Sequence, residues 1–101
     1  MAYKISINPS ATLDIVDTID WYNGQQANLG FRFYKSIQAT IKSIQKNPLG
    51  CAVRYKIIRT AIVKKFPYML HYTVSQEFET IEILAVICMY RNPDSWFEKT
   101  T

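Results

Sequence analysis

Residues 59–74 read RTAIVKKFPYMLHYTV, residues 75–79 read SQEFE, and residues 80–96 read TIEILAVICMYRNPDSW. Two runs rich in β-branched and aromatic residues, separated by a short polar break, predict an antiparallel hairpin. The second run is almost wholly apolar from Thr80 to Met89. A strand that is apolar on both faces is typical of the centre of a sheet, where it is covered above and below. The sequence therefore predicts a central strand here, with Ile83 and Ile87 in the core.

The first half of the chain predicts a short strand and two helices. Tyr3 to Ile7 alternates apolar and polar residues, as a half-buried strand does. Asn8-Pro9-Ser10 is a helix start, because Asn or Ser can cap free backbone N–H groups and proline is tolerated in the first turn. The apolar stripes are Ile15, Val16, Ile19 and Tyr22 in the first helix, and Phe33, Ile37, Ile41 and Ile44 in the second.

Breaker residues divide the two helices and end the second one. Asn28-Leu29-Gly30 predicts the turn between them. We expect the second helix to run from about Phe31 to Lys46, since the residue before a proline avoids the helical region and Asn47-Pro48 follows. Two amphipathic helices joined by a short turn form an antiparallel helical hairpin.

The second half predicts three or four strands. Val53 to Ile58 alternates polar and apolar residues, and Ala61 to Lys64 is a candidate third strand, with the turn at Arg59-Thr60 or just after. Phe66-Pro67 places a proline at the start of the next strand, where a ladder tolerates it. Helices followed by a run of strands predict an α+β fold. In it, the N-terminal strand and the helical hairpin pack on a small twisted antiparallel sheet, in the order β-α-α-β-β-β with or without one further strand.

Length and composition set the outer bounds. The chain has 101 residues, which predicts one domain over residues 1–101. No apolar run approaches the ~20 residues of a membrane span, so we expect a soluble, cytoplasmic protein that does not bind membranes. Cys51 and Cys88 lack metal-site spacing and predict two reduced thiols. Asp14, Asp17 and Asp20 are interpreted as a solvated helix face, and no metal or cofactor is expected.

Charge is distributed unevenly along the sequence. The net charge is +4, and no Asp or Glu occurs between Trp21 and Gln76. The cations of this acid-free window are Arg32, Lys35, Lys42, Lys46, Arg54, Lys56, Arg59, Lys64 and Lys65. Such a window favours an acidic partner, either a nucleic acid or an acidic protein segment. Solvated lysines with no target remain the alternative.

No catalytic motif stands out by spacing. The sequence has no Ser/His/Asp arrangement, no glycine-rich phosphate loop and no HExxH. His71 is the single histidine, and at a strand centre it is either a packed, hydrogen-bonded side chain or a catalytic base. The candidates by residue type are Arg59, Lys64, Lys65, His71, Tyr90 and Arg91.

The order and spacing of several short motifs resemble those of the RelE/ParE superfamily of type II toxin–antitoxin toxins. The matching pieces are Asp14-x-x-Asp17-x-x-x-Trp21-Tyr22, Gly30-Phe31-x-Phe33, Asn47-Pro48, Arg59, Lys65-Phe66-Pro67-Tyr68-x-x-x-Tyr72 and Arg91-x-Pro93-x-x-Trp96. The Phe-Pro-Tyr and Arg-x-Pro pieces look more like the ParE, or plasmid stabilisation, branch. The resemblance covers nearly the whole chain and implies the same α+β fold.

The two branches imply different chemistry. RelE-like toxins cut mRNA on the ribosome with basic groups that stabilise charge on the phosphate and another group that moves the 2′-hydroxyl proton. The resemblance to them implies a metal-independent ribonuclease. Its candidate catalytic residues would be Lys56, Arg59, His71, Tyr90 and Arg91. Met69, however, stands where the nuclease pattern has a strand arginine.

ParE-like toxins act on DNA gyrase and lack the full nuclease set. The resemblance to them implies target-binding roles for Arg59, Lys64, Lys65, Arg91 and Trp96. The departure at Met69 favours this branch, with the ribosome-dependent ribonuclease second and a non-toxic, antitoxin-binding remnant third. In each case the expected partner is a cognate antitoxin with a disordered, partly acidic segment. DNA gyrase, or the ribosome and mRNA, would be the target.

Overall fold

The computed structural model describes residues 3–90. Two helices and five strands follow one another as β1 (Lys4–Ile7), α1 (Pro9–Gln25), α2 (Leu29–Lys46), β2 (Val53–Tyr55), β3 (Ile58–Ile62), β4 (Tyr68–Ser75) and β5 (Thr80–Cys88). The predicted α+β architecture is confirmed, and four strands follow the helical hairpin.

The five strands form one sheet in the order β1-β5-β4-β3-β2. β5 therefore lies between β1 and β4, as its apolar sequence predicts. The pairs β5–β4, β4–β3 and β3–β2 are antiparallel, whereas β1 runs parallel to β5, with Lys4 opposite Thr80 and Ile7 opposite Ile83. The sheet is thus mixed: β2 to β5 form the expected antiparallel part, and the N-terminal strand β1 joins it in parallel. A parallel pair needs a long crossover, which the helical hairpin and the intervening strands provide.

The main core lies between the helices and one face of the sheet. α1 contributes Ala11 and Ile15, and α2 contributes Phe33, Ile37 and Ile44. The sheet contributes Ala61, Val63, Leu70, Tyr72, Ile81, Ile83 and Val86. The predicted core residues of β5 are confirmed, since Ile83 and Ile87 are both buried.

The ends of the helices follow local sequence chemistry. Asn8 caps α1, because its Oδ1 accepts a hydrogen bond of 2.9 Å from the Ser10 N–H, and Pro9 is the first helical residue. α2 begins at Leu29, two residues earlier than expected, after Asn28 in the left-handed region (φ 67°). Val16 was expected in the apolar stripe of α1 but is exposed. At 3.6 residues per turn, a helix that buries Ala11, Ile15 and Thr18 turns Val16 away from the sheet.

The turn between β2 and β3 lies earlier than the sequence predicts. It consists of Lys56 and Ile57, and β3 already begins at Ile58, so the expected turn at Arg59-Thr60 is wrong. Lys56 adopts a positive φ of 50°. Residues in that conformation are usually Gly, Asn or Asp, so Lys56 and Ile57 carry no turn signal that sequence analysis could detect.

Candidate functional site

Four aromatic residues from three sequence motifs meet in one cluster. Tyr22 of α1 lies 5.1 Å from Phe66, and Phe33 of α2 lies 5.2 Å from Phe66 and 5.3 Å from Tyr68, between ring centroids. Edge-on contacts of this kind add about 0.5–1.5 kcal/mol per pair beyond the area that they bury. These residues of the Trp-Tyr, Gly-Phe-x-Phe and Phe-Pro-Tyr motifs thus hold the helical hairpin against the start of β4.

The single histidine is buried in the sheet. His71 lies on β4 with no exposed surface, and its Nδ1 is 2.9 Å from the hydroxyl oxygen of Tyr55 on β2. Burial, and secondarily the charge of Arg54, lower the pKa of His71 to about 4. The imidazole is therefore neutral at physiological pH, in a packed and hydrogen-bonded position.

A second, smaller core surrounds Met69 on β4. Met69 of β4 is buried against Ala85 and Ile87 of β5, with Tyr55 packed beside them. These side chains form a cluster separate from the core beneath the helices. This part of the sheet presents thioether, methyl and alkyl groups, which cannot stabilise negative charge on a phosphate.

Arg59 fixes the segment that follows α2. Its Nη1 donates to the carbonyl oxygen of Cys51, and at 3.4 Å to that of Leu49. The phenol of Tyr72 lies close by, and burial, followed by the neighbouring Cys51 side chain, raises its pKa. The guanidinium of Arg59 thus has a structural function whatever else it contacts.

The other predicted site residues are spread over the surface. Lys56 is exposed in the β2–β3 turn, and Lys64 and Lys65 are exposed in the β3–β4 turn. Tyr90 follows β5 and is 86% exposed. Arg91 and Trp96 lie outside the described residues. Within residues 3–90, the candidate catalytic residues do not converge, because His71 is buried at the centre of β4 while Lys56 and Tyr90 lie beyond strand ends.

A groove of about 610 Å³ lies between the C-terminal half of α2 and the β2–β3 side of the sheet. Ala39, Thr40 and Ile44 of α2 line one side, and Thr60, Ala61 and Ile62 of β3 line the other. Two cations, Arg54 and Lys64, also line it, and both are exposed. The groove is therefore mainly apolar, with positive charge and no carboxylate in its lining.

Sequence reasoning identified Lys64 but not Arg54, Ile62 or Tyr55 as part of a site. Arg54 is one of the nine cations of the acid-free window. The charge pattern therefore indicates a basic region there, but it does not distinguish Arg54 from the other cations. Ile62 has no sequence signal, because an exposed isoleucine in a strand looks like a core residue. The Tyr55–His71 hydrogen bond depends on the register of β2. The sequence predicts the β2–β3 turn at Arg59-Thr60, and that position gives β2 a different register.

Two features are absent from residues 3–90. No three His, Cys, Asp or Glu side chains come together there as a metal site. Neither of the two helices of this part is both long and apolar enough to cross a membrane.

Comparisons with known proteins place the fold. No family model matches the sequence, and no curated protein matches it. Among solved structures, one chain of the chromosomal ParDE TA system from P. aeruginosa is 18% identical with a TM-score of 0.74, over 86% of this chain and 96% of that chain. A chain of the RelBE2 toxin–antitoxin complex from Mycobacterium tuberculosis is 16% identical with a TM-score of 0.57, over 87% of this chain and 99% of that one. The chain therefore has the RelE/ParE fold that its sequence motifs indicated, and it is more similar to the ParDE structure than to the RelBE2 structure.

Proposed function

We propose that this chain is the toxin of a type II toxin–antitoxin system, of the ParE-like branch, that acts on DNA gyrase and is neutralised by a cognate antitoxin. The observation that carries the choice of branch is the burial of Met69 against Ala85 and Ile87. Losing one group that stabilises charge in a transition state costs about 10²–10³ in rate. A nuclease without a cation at Met69 would be weakened accordingly.

Two further observations support a target that is bound rather than cut. His71 is fully buried and neutral at physiological pH, so it cannot contact a phosphate from solvent. The aromatic motif residues Tyr22, Phe33, Phe66 and Tyr68 pack in or against the core, so they are not free to stack on RNA bases. The fold likeness to a ParDE chain, at a TM-score of 0.74, agrees with this choice.

The ribosome-dependent ribonuclease is the second candidate. It is favoured by the exposure of Lys56 and Tyr90, a cation and a phenol of the kinds that such chemistry uses. The lack of convergence of these groups within residues 3–90 counts against it.

Two activity assays separate the candidates. We expect the purified chain to inhibit gyrase supercoiling, and Arg91→Ala to lose inhibition while keeping its melting temperature, if Arg91 contacts the target. Lys64→Ala with Lys65→Ala should weaken inhibition, whereas Lys42→Ala, on the exposed side of α2, should not. Codon-phased cuts in mRNA on translating ribosomes that vanish in Arg91→Ala would overturn the proposal in favour of the ribonuclease.

The third candidate, a non-toxic remnant that binds the antitoxin, predicts a different outcome of these experiments. Expression without the antitoxin would then leave growth unaffected, and neither assay would respond, although the chain would still bind the product of the neighbouring open reading frame. Growth arrest that this product relieves would support the proposed function over the remnant.

A further inference from the structure

The hydroxyl of Tyr72 is buried beside a sulfur atom. Tyr72 of β4 has no exposed surface, and among residues 3–90 its hydroxyl makes no hydrogen bond to an oxygen or nitrogen atom. Its polar neighbour is the side chain of Cys51, and a thiol sulfur is only a weak acceptor. Buried hydroxyl groups in folded proteins nearly always have a partner. The Tyr72 O–H is thus a donor that an oxygen atom on the Cys51 sulfur would satisfy.

Cys51 lies between this hydroxyl and the groove beside α2. Its side chain packs against the main core, to which Tyr72 belongs, and it also lines the groove of about 610 Å³. The thiol belongs to a residue that is partly exposed. A small solute can therefore reach the sulfur atom from the groove, while the Tyr72 O–H lies on the core side of it.

The surroundings of Cys51 are positively charged. The Arg59 guanidinium donates a hydrogen bond to the Cys51 carbonyl oxygen, and Arg54 and Lys64 line the groove together with Cys51. No carboxylate is among the residues that line the groove. Reactive cysteines in proteins are found in partly exposed, electropositive surroundings of this kind, because nearby cations stabilise negative charge on the sulfur and on an oxygen bound to it.

Cys88 provides a comparison within the same chain. It is also partly exposed, and it lines a smaller pocket of about 210 Å³ together with Asp14 and Asp17. Carboxylates disfavour a further negative charge close to them. The two thiols thus differ in the sign of the charge around them, and this difference predicts that they differ in reactivity.

We propose that Cys51 is a modification site, at which a hydroperoxide oxidises the thiolate to a sulfenic acid whose new oxygen atom accepts a hydrogen bond from the Tyr72 hydroxyl. The sulfur attacks one peroxide oxygen, so an S–O bond forms and the O–O bond breaks. The sulfur loses two electrons to the peroxide, and the departing hydroxide takes up a proton to become water. The product is reversible, since thiols reduce a sulfenic acid through a disulfide.

Hydrogen peroxide together with dimedone, which traps sulfenic acids, tests the site in the wild-type chain. We expect mass spectrometry to find the label on Cys51 about tenfold or more above that on Cys88, as one additional hydrogen bond to a charged group predicts. Iodoacetamide, a neutral reagent, should alkylate both partly exposed thiols of the folded chain. Equal dimedone labelling of the two cysteines, or alkylation of Cys51 only in urea, would overturn the inference.

Tyr72→Phe tests the hydroxyl. The variant keeps the ring in the core and loses only the donor, so the reduced chain should be as stable as the wild type or more so. Peroxide is then removed with catalase, and dimedone is added after increasing delays. The sulfenic acid at Cys51 should decay about tenfold faster in the variant than in the wild type. Tyr55→Phe is the matched control, since it removes a hydroxyl that is hydrogen-bonded to His71 and should leave this lifetime unchanged.

The outcomes separate this inference from the proposed function. A sulfenic acid lifetime that Tyr72→Phe leaves unchanged would overturn the site as proposed. If that variant does not fold, the wild-type comparison decides, because preferential labelling of Cys51 supports the inference and equal labelling overturns it. The inference needs only the folded chain. A chain that oxidises at Cys51 but neither inhibits gyrase nor binds an antitoxin would therefore overturn the proposed function and support the modification site.

Discussion

Gly30 of α2 lies directly against the backbone of α1 at Ile19. A Cβ at Gly30 would meet the Ile19 carbonyl oxygen, and it would lie 2.7 Å from Oδ1 of Asn23. That same Oδ1 accepts a hydrogen bond of 2.8 Å from the Gly30 N–H. Both contacts join the first turn of α2 to the last turns of α1, so the helical hairpin closes at this point.

We expect Gly30→Ala to destabilise the protein. Overpacking of this kind costs about 1–3 kcal/mol, more than the 0.5–1 kcal/mol that alanine gains over glycine within a helix. Gly24→Ala is the matched control, since nothing lies within 4 Å of a Cβ there and the residue is in α1. Urea denaturation should show Gly30→Ala less stable and Gly24→Ala as stable as the wild type or more so. Equal stability of the two variants would contradict the close packing of the hairpin.

We expect Ile83→Ala to remove a large share of the stability. Ile83 is fully buried in β5, beneath the helices. A buried Ile→Ala change costs about 2–5 kcal/mol, out of the 5–15 kcal/mol that a domain has. Ile57→Ala, in the β2–β3 turn, removes the same atoms from a side chain that is 74% exposed and should cost far less. Thermal melting of both variants tests this, and a melting temperature for Ile83→Ala within about a degree of the wild type would contradict the assignment of β5 as the centre of the sheet.

We expect acid to destabilise the fold through His71. The pKa of His71 in the folded chain, about 4, lies below the ordinary histidine pKa of 6.5, so the unfolded chain binds the extra proton first as the pH falls. This contribution to the free energy of unfolding is complete above pH 6.5 and is lost between that pH and about 4, with an upper limit of roughly 3 kcal/mol. His71→Asn keeps a polar group near Nδ1 and does not titrate. The difference in stability between wild type and variant should therefore shrink across this window, and a constant difference would contradict a neutral, buried His71.

We expect Arg59→Ala to loosen the segment after α2. The variant loses the hydrogen bonds of Arg59 to the carbonyls of Cys51 and Leu49, which are worth about 1–2 kcal/mol at a partly exposed site. Amide exchange in residues 49–52 should rise with the loss of stability. Arg54→Ala, which removes an exposed arginine one strand away, should change the stability by no more than about 0.5 kcal/mol. Equal stability of the two variants would contradict a structural function for Arg59 and would favour a function in target binding.

Much of the fold could be predicted from the sequence because its signals are local and agree with one another. The apolar run of β5 indicated a central strand, and Asn8-Pro9 and Asn47-Pro48 marked helix ends. The turn at Lys56-Ile57 could not be predicted, because it depends on a lysine adopting a positive φ that the pairing of β2 with β3 imposes. The parallel pairing of β1 with β5 joins residues far apart in the chain, for which no local pattern exists.

The site was less predictable for the same reason. Sequence pattern gave the residue types, and the resemblance suggested roles, but whether cations meet depends on strand register and on burial. Met69 and His71 are two residues apart on β4, so they share one face of the strand, and both are buried. The alternation of the sequence shows that they share a face, but it does not show whether that face is buried or exposed. The groove is lined by residues of α2, of β3 and of the segment before β2, which come together only in the folded chain.

The parallel pairing of β1 with β5 also governs when the chain can finish folding. Lys4 is paired with Thr80 and Ile7 with Ile83, a separation of 76 residues. Contacts this distant in the chain form late, because loop closure has to be completed before they add stability. During synthesis, β1 thus waits for β5, and a chain released before Thr80 leaves β1 without the strand that it pairs with. Such a truncated product would also leave the helices without Ile81, Ile83 and Val86, the β5 residues of the core that they cover.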